Sequence, residues 1–413
     1  MKTLITFKTI LSLVAVFPSF AVALTIKSVQ TQISVQAAGS PLANPTLISM
    51  PANSVKIVSS FSCQNPVGEN DYSCTYVHDF SGMAYDPQQF KFFLFGGGHA
   101  TTFTDALYEF NPSTLTWRQL YAPSPVSSWV PSNFDKTRAA WLAGPSGPYP
   151  RPISRHTYDE LAVVNGEFII LAMANGGNTY TTAQFASSGG DPMFSSARVA
   201  HYSFQNSSWT FSPTAMGDAL PESNFEVYPA SEVDPISKKI LTLSPTGLFV
   251  YDPSTKVKTR VIRGDFDEFK NSSGQVMSYS TLSAQMAYDR NFVYSSHNDK
   301  FYYLNPPYVL ELNFNRQNPS GSTLTLVASS GISTIGGTGR GFDYDSKNKV
   351  IVGGLNNNEV KIFNPSTHVW STSTVSGGTP GDAGFHVWRY DPINNVFFFQ
   401  GFHTTQFWAY RYK

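Results

Sequence analysis

From about residue 80 to the C-terminus, apolar residues alternate or run in blocks of four to seven between polar turns, the spacing of short strands rather than helices. The pattern repeats. Met83-Ala-Tyr-Asp-Pro-Gln-Gln-Phe-Lys-Phe-Phe-Leu-Phe-Gly-Gly-Gly98, Gly341-Phe-Asp-Tyr-Asp-Ser-Lys-Asn-Lys-Val-Ile-Val-Gly-Gly354 and Val387-Trp-Arg-Tyr-Asp-Pro-Ile-Asn-Asn-Val-Phe-Phe-Phe-Gln-Gly401 are copies of one unit, a strand, an acidic turn and a more apolar strand. More degenerate copies lie at Ser231–Pro245 and Gln285–Ser296. Asp86, Asp234, Asp289, Asp345 and Asp391 take the same turn position in these copies and are read as turn formers.

Each unit continues into a second hairpin. Leu107-Tyr-Glu-Phe-Asn-Pro-Ser-Thr-Leu-Thr-Trp117, Ala200-His-Tyr-Ser-Phe-Gln-Asn-Ser-Ser-Trp209 and Val360-Lys-Ile-Phe-Asn-Pro-Ser-Thr-His-Val-Trp370 are equivalent. Four antiparallel strands per unit follow. With Gly97-Gly98, Tyr108 and Trp117, Gly176-Gly177, Tyr202 and Trp209, and Gly353-Gly354, Phe363 and Trp370, the chain resembles the Kelch repeat over roughly residues 45 to 413. The resemblance implies an all-β fold, a β-propeller of four-stranded blades. Turn counting places six at about 78–122, 155–215, 225–264, 278–329, 338–375 and 384–413. A seventh would have to hide in the inserts at 121–154 or 180–197. The last unit has room for three strands only, so the strand read at Pro45–Met50 is expected to complete it and close the ring, leaving no open sheet edge.

Residues 1–23 have the form of a signal peptide: Lys2 and Lys8, an apolar run from Thr9 to Phe20, and Ala21-Val-Ala23 before the expected cleavage. A lead segment, 24–44, and the propeller domain, 45–413, would then make up a secreted, extracellular protein without a membrane span. In an oxidising compartment Cys63 and Cys74 are expected to form a disulfide. Asn206-Ser-Ser and Asn271-Ser-Ser are glycosylation sequons. The 28 basic residues equal the 28 acidic ones, which excludes an electrostatic nucleic-acid binder. A monomer is expected.

In such a propeller, loops before first strands and after second strands share one face. His78, His156 and His386 map before or at first strands, and His99, His297 and His403 after second strands, so six of the eight histidines are expected on one rim. Tyr228, Asn298, Arg389 and Asn356 join them, whereas His201 and His368 are read as structural. His99 in Gly96-Gly-Gly-His99 and the run Ser154-Arg-His-Thr-Tyr158 are the sharpest local motifs. Histidine and tyrosine can pass protons near neutral pH, and arginine can clamp a carboxylate. These are the groups β-elimination from a uronic acid requires.

Secreted propellers that degrade acidic polysaccharides, the ulvan lyase families among them, are similar in architecture and in using such residues. The similarity implies His99 or His156 as acid or base, Tyr158 as proton partner, and Arg155 or Arg340 on the substrate carboxylate. His78, Tyr228, His297, Asn298, His386 and His403 would then bind ligand. The function expected is that of a carbohydrate-active propeller, a polysaccharide lyase acting on uronate-containing glycans; the alternative is a noncatalytic propeller binding a glycan or protein through the same rim. Imidazoles of His99, His156 and His403 could instead hold a metal, though no H-x-H or HExxH pair is present. A galactose-oxidase-like site would need a cysteine crosslink, for which both cysteines are already committed. No cofactor is specified. Glycosidase carboxylates could lie among Asp79, Asp159, Glu160 and Glu226, whose separation the sequence cannot give.

Overall fold

The computed structural model describes residues 42–63, 77, 81–97, 103–172, 174–175, 195–196, 198–213, 230–244, 247–263, 269–271, 276–277, 290–333 and 341–413. Among them the chain is all-β, with six four-stranded antiparallel sheets consistent with a propeller. Sheet 1 comprises Gly82–Asp86, Lys91–Phe95, Tyr108–Asn111 and Thr116–Gln119; sheet 2, Leu161–Val164, Glu167–Ile170, Ala200–Ser203 and Ser208–Phe211. Sheet 3 comprises Ala230–Val233, Ile240–Ser244, Gly247–Asp252 and Val257–Arg263; sheet 4, Asn291–Ser295, Lys300–Asn305, Tyr308–Asn313 and Thr323–Ala328. Sheet 5 comprises Phe342–Asp345, Val350–Asn356, Glu359–Asn364 and Val369–Thr374. In sheet 6, Ala383–Asp391, Val396–Gly401 and Gln406–Arg411 are joined by Ser54–Ser60.

The acidic turns form as their chemistry demands. Asp86, Asp345 and Asp391 accept main-chain N–H groups two residues on, from Gln88 at 2.8 Å, Lys347 at 3.0 Å and Ile393 at 2.9 Å. Each turn then closes through a left-handed residue, Phe90, Lys349 or Asn395. In sheets 1, 2 and 5 the third and fourth strands set an aromatic directly opposite a tryptophan: Phe110 and Trp117, Tyr202 and Trp209, Phe363 and Trp370, at 5.1–5.2 Å. In sheet 1 the ring opposite the tryptophan is Phe110, while Tyr108, the tyrosine of the Kelch resemblance, lies opposite Gln119.

The glycine pair has a steric cause. A Cβ on Gly353 would lie 2.0 Å from the Gly341 carbonyl oxygen, and Gly354, at φ 60°, donates its N–H to that same oxygen at 3.0 Å.

Two expectations are corrected. Pro45–Ile48 is a helical turn, not a strand, because Asn44 caps it by accepting the Thr46 N–H at 2.9 Å and Pro45 takes its first position. The strand that completes sheet 6 is Ser54–Ser60, paired from Ser54 opposite Arg411 to Ser60 opposite Gln406. In sheet 4, Asp289 lies outside the described residues and ahead of the first strand. The first turn is Ser296–Asp299, with Ser295 where other sheets have aspartate. His297 and Asn298 thus occupy a first turn rather than the loop after a second strand.

The insert at 121–154 is no four-stranded unit. It carries three two-residue strands, Phe134–Asp135, Ala140–Trp141 and Arg151–Pro152, around stacked Trp129 and Trp141. Arg151, fully buried, docks it between the rings of Tyr121 and Tyr149, 4.5 Å from each, and donates to Asp105 at 3.3 Å.

Apolar clusters fill each junction. One joins sheets 6, 1 and 2 through Phe398, Phe92 and Phe168; others join 2 to 3, 3 to 4, 4 to 5 and 5 to 6. Each fully buried aromatic or leucine stabilises by roughly 1.5–3 kcal/mol. Between sheets 2 and 3, buried His201 meets Glu167 at 2.8 Å and Tyr251 at 2.6 Å, the structural part expected of it. His368 stacks on Phe363 and contacts Glu311 at 3.2 Å. No helix among the described residues is long and apolar enough to cross a membrane.

Candidate functional site

First strands lie side by side near the middle of the assembly. Gly82 of sheet 1 bridges His386 of sheet 6 in parallel, and Asp159, just ahead of sheet 2, bridges Ala230 of sheet 3. The segment leading into sheet 2 is stapled to sheet 1 by Thr157, whose Oγ1 accepts the Gly82 N–H at 3.1 Å and donates to the Phe95 carbonyl at 3.0 Å. That staple fixes the two neighbouring side chains. Tyr158 turns back at φ 42°, and its Oη lies 3.0 Å from Nδ1 of His156.

His386 arrives from the other end of the sequence. Its ring lies edge-on to that of Tyr158 at 6.1 Å, so residues 156, 158 and 386 form one cluster where first strands begin. The cluster is enclosed: His156 and Tyr158 are each 7% exposed and His386 is fully buried. His403, just after the second strand of sheet 6, stacks on Phe402 at 3.6 Å, and burial lowers its pKa.

Other expected residues lie elsewhere. The Arg155 guanidinium is buried and donates to three main-chain carbonyls, Ile153 at 3.2 Å, Ala172 at 3.3 Å and Ala139 at 3.0 Å. It ties the insert to sheet 2. Asn356 donates to Asp382 at 3.3 Å. Asn298, in its first turn, donates to Tyr302 at 2.7 Å. His78, His99, Tyr228, Arg340 and Cys74 lie outside the described residues, as do residues 1–41 and Asp79 and Glu226. Cys63 is described and is not a free thiol.

A second arrangement went unrecognised in the sequence. Arg389, expected on the rim, lies at the centre, its Nη2 2.5 Å from Asp159. The second oxygen of Asp159 accepts the Phe292 N–H of sheet 4 at 2.8 Å. Asp343 accepts the N–H groups of Tyr390 at 2.8 Å and Tyr344 at 2.7 Å. Arg389, Asp343 and Glu232 line a cavity of about 330 Å³ to which all six sheets contribute, at the end where first strands turn into second strands.

Burial controls the charges there. It pushes Glu232 up to about 8, with Asp343 adding to the rise and Arg389 opposing it, and it raises Asp159 to about 6 despite Arg389. Asp343 is raised for the same reason. Burial opposes the charge on Arg389, but Asp159, Asp343 and Glu232 together hold its pKa above the ordinary value. The overlooked signal was positional: Glu232, Asp343 and Arg389 each stand two residues before the turn aspartate, where sheet 1 has Ala84.

No family model matches the sequence. No curated protein matches it either. Solved structures similar to it include an auxiliary nutrient binding protein from Bacteroides thetaiotaomicron VPI-5482, 11% identical over 86% of this chain and 75% of that one, with a TM-score of 0.47. Another, from Bacteroides ovatus ATCC 8483, is 12% identical over the same shares, with a TM-score of 0.46. YjhT is 11% identical over 80% of this chain and 93% of that one, with a TM-score of 0.42.

Proposed function

We propose that this chain is an extracellular propeller of six Kelch-like blades, closed by Ser54–Ser60, that binds a polar, glycan-type ligand on the face where first strands begin. The observation that carries the reading is the meeting of His156, Tyr158 and His386, 230 residues apart from first to last, in one cluster. Export through residues 1–23, a Cys63–Cys74 disulfide and a monomeric state belong to the same proposal. His78, His99, Tyr228, Arg340 and His403 would complete the binding face.

Binding without turnover is favoured over β-elimination by the placement of Arg155. Three of its five N–H donors are spent on main-chain carbonyls and the side chain is 1% exposed, so it is held as a structural tie and shielded from a substrate carboxylate. One contact favours the lyase reading, the 3.0 Å approach of His156 to Tyr158, through which an abstracted proton could be relayed to the leaving oxygen.

Affinity electrophoresis against neutral and uronate polysaccharides, run beside an ultraviolet assay for unsaturated ends, separates the two. Retardation without new absorbance, weakened but not abolished in His156→Ala, supports binding. Absorbance that grows with wild type and vanishes in His156→Ala selects the lyase, and a folded protein giving neither result across the panel defeats both.

A further inference from the structure

We propose that the central cavity at the turn end is a separate binding site, for a small organic cation carrying an ammonium group. A charge inventory of its lining points there. Asp86 is committed to its turn through Gln88 and Gln89, Arg389 to Asp159, and Lys238 is exposed at the mouth. Glu232 and Asp343 share the field of Arg389 with Asp159. Their carboxyls line the cavity, and no further cation stands among its described lining side chains, so three carboxyls face one buried guanidinium and the site lacks positive charge rather than negative.

The walls suit the same ligand. Tyr85, Tyr294, Tyr344 and Tyr390, from four sheets, line the cavity, and aromatic rings attract cations through their quadrupoles. Tyr344 is 6% exposed and its Oη has no hydrogen-bond partner among the described residues, which leaves an acceptor for an ammonium N–H. The volume is at the lower end of small-molecule sites. An anion would face two carboxyls. A neutral molecule would leave the excess uncompensated.

Glu232 makes the proposal quantitative. Beside Asp343, Asp159 and Arg389 its carboxyl is mostly protonated at neutral pH, because burial raises it to about 8. An ammonium group within hydrogen-bond distance favours the carboxylate, so binding at pH 7 should expel nearly one proton per ligand.

The test compares n-butylammonium, 1-butanol and butanoate, similar in size but different in charge, on the whole secreted chain by isothermal titration calorimetry. A pH-stat titration in unbuffered salt counts the protons. Saturable binding of n-butylammonium alone, with proton release, is expected. Glu232→Gln, checked for folding by its melting curve, should abolish the release and weaken binding by roughly tenfold or more. His156→Ala should leave amine binding unchanged, which separates this site from the glycan face. Equal binding of 1-butanol, no saturable binding of the amine, or amine binding without proton release in the unmodified chain would overturn the proposal.

Discussion

Arg389 and Asp159, 230 residues apart, meet at 2.5 Å near the middle of the molecule, and the other Asp159 oxygen holds the Phe292 N–H. One carboxylate on the approach to sheet 2 thus grips sheets 6 and 4 together. It acts on stability by joining elements that no local turn connects.

Asp159→Ala should therefore be costly. It removes the acceptor of both the Arg389 guanidinium and the Phe292 N–H, and breaking a buried pair typically costs about 3–5 kcal/mol. Asp343 and Glu232 stay nearby, so a loss near the lower end, about 3 kcal/mol, is expected from urea unfolding. A change below about 0.5 kcal/mol, the scale of an ordinary surface substitution, would show that the pair contributes nothing to holding the sheets.

Stability should fall as pH rises from about 5 to about 8. Glu232 is raised in the folded state from 4.5 to about 8 and Asp159 from 3.8 to about 6, so between the unfolded and folded values the native protein holds more protons than the unfolded chain. The slope of unfolding free energy with pH is then negative, with the Asp159 part lost first and the Glu232 part through about pH 8. Denaturant midpoints across this range measure it. Glu232→Gln should flatten the upper portion, and an unchanged slope in that variant would assign the effect to other groups.

Gly353→Ala should cost about 2–3 kcal/mol, since the new methyl would lie 2.0 Å from the Gly341 carbonyl oxygen, which belongs to backbone and cannot swing away. Gly321→Ala is the control. Its nearest obstacle is the Asn318 side chain at 3.1 Å, and a change within about 0.5 kcal/mol is expected from the same denaturation experiment.

Much of the fold was legible because its signals are local. Asp86, Asp345 and Asp391 bend hairpins through contacts two residues away, and Trp117, Trp209 and Trp370 pair across a short turn. Sheet 4 was misframed where that signal lapses: Ser295 replaces the turn aspartate, and His297 moved to the other end of the sheet with it. The candidate site was legible only in part. His156 and Tyr158 are near neighbours, whereas what Arg155 donates to depends on a carbonyl of the insert and another beyond it.

The sequence by itself determined the strands, most of their turns and the recurrence of a four-stranded unit, because hydrophobic alternation and turn chemistry act over a few residues. Only the tertiary structure decided which charges meet. Asp159, Glu232, Asp343 and Arg389 come from four different sheets or their approaches, and although the last three share one position before the turn, their distances from one another are set only when the sheets pack. Their pKa values follow from burial and mutual distance, properties that exist only once the sheets have packed.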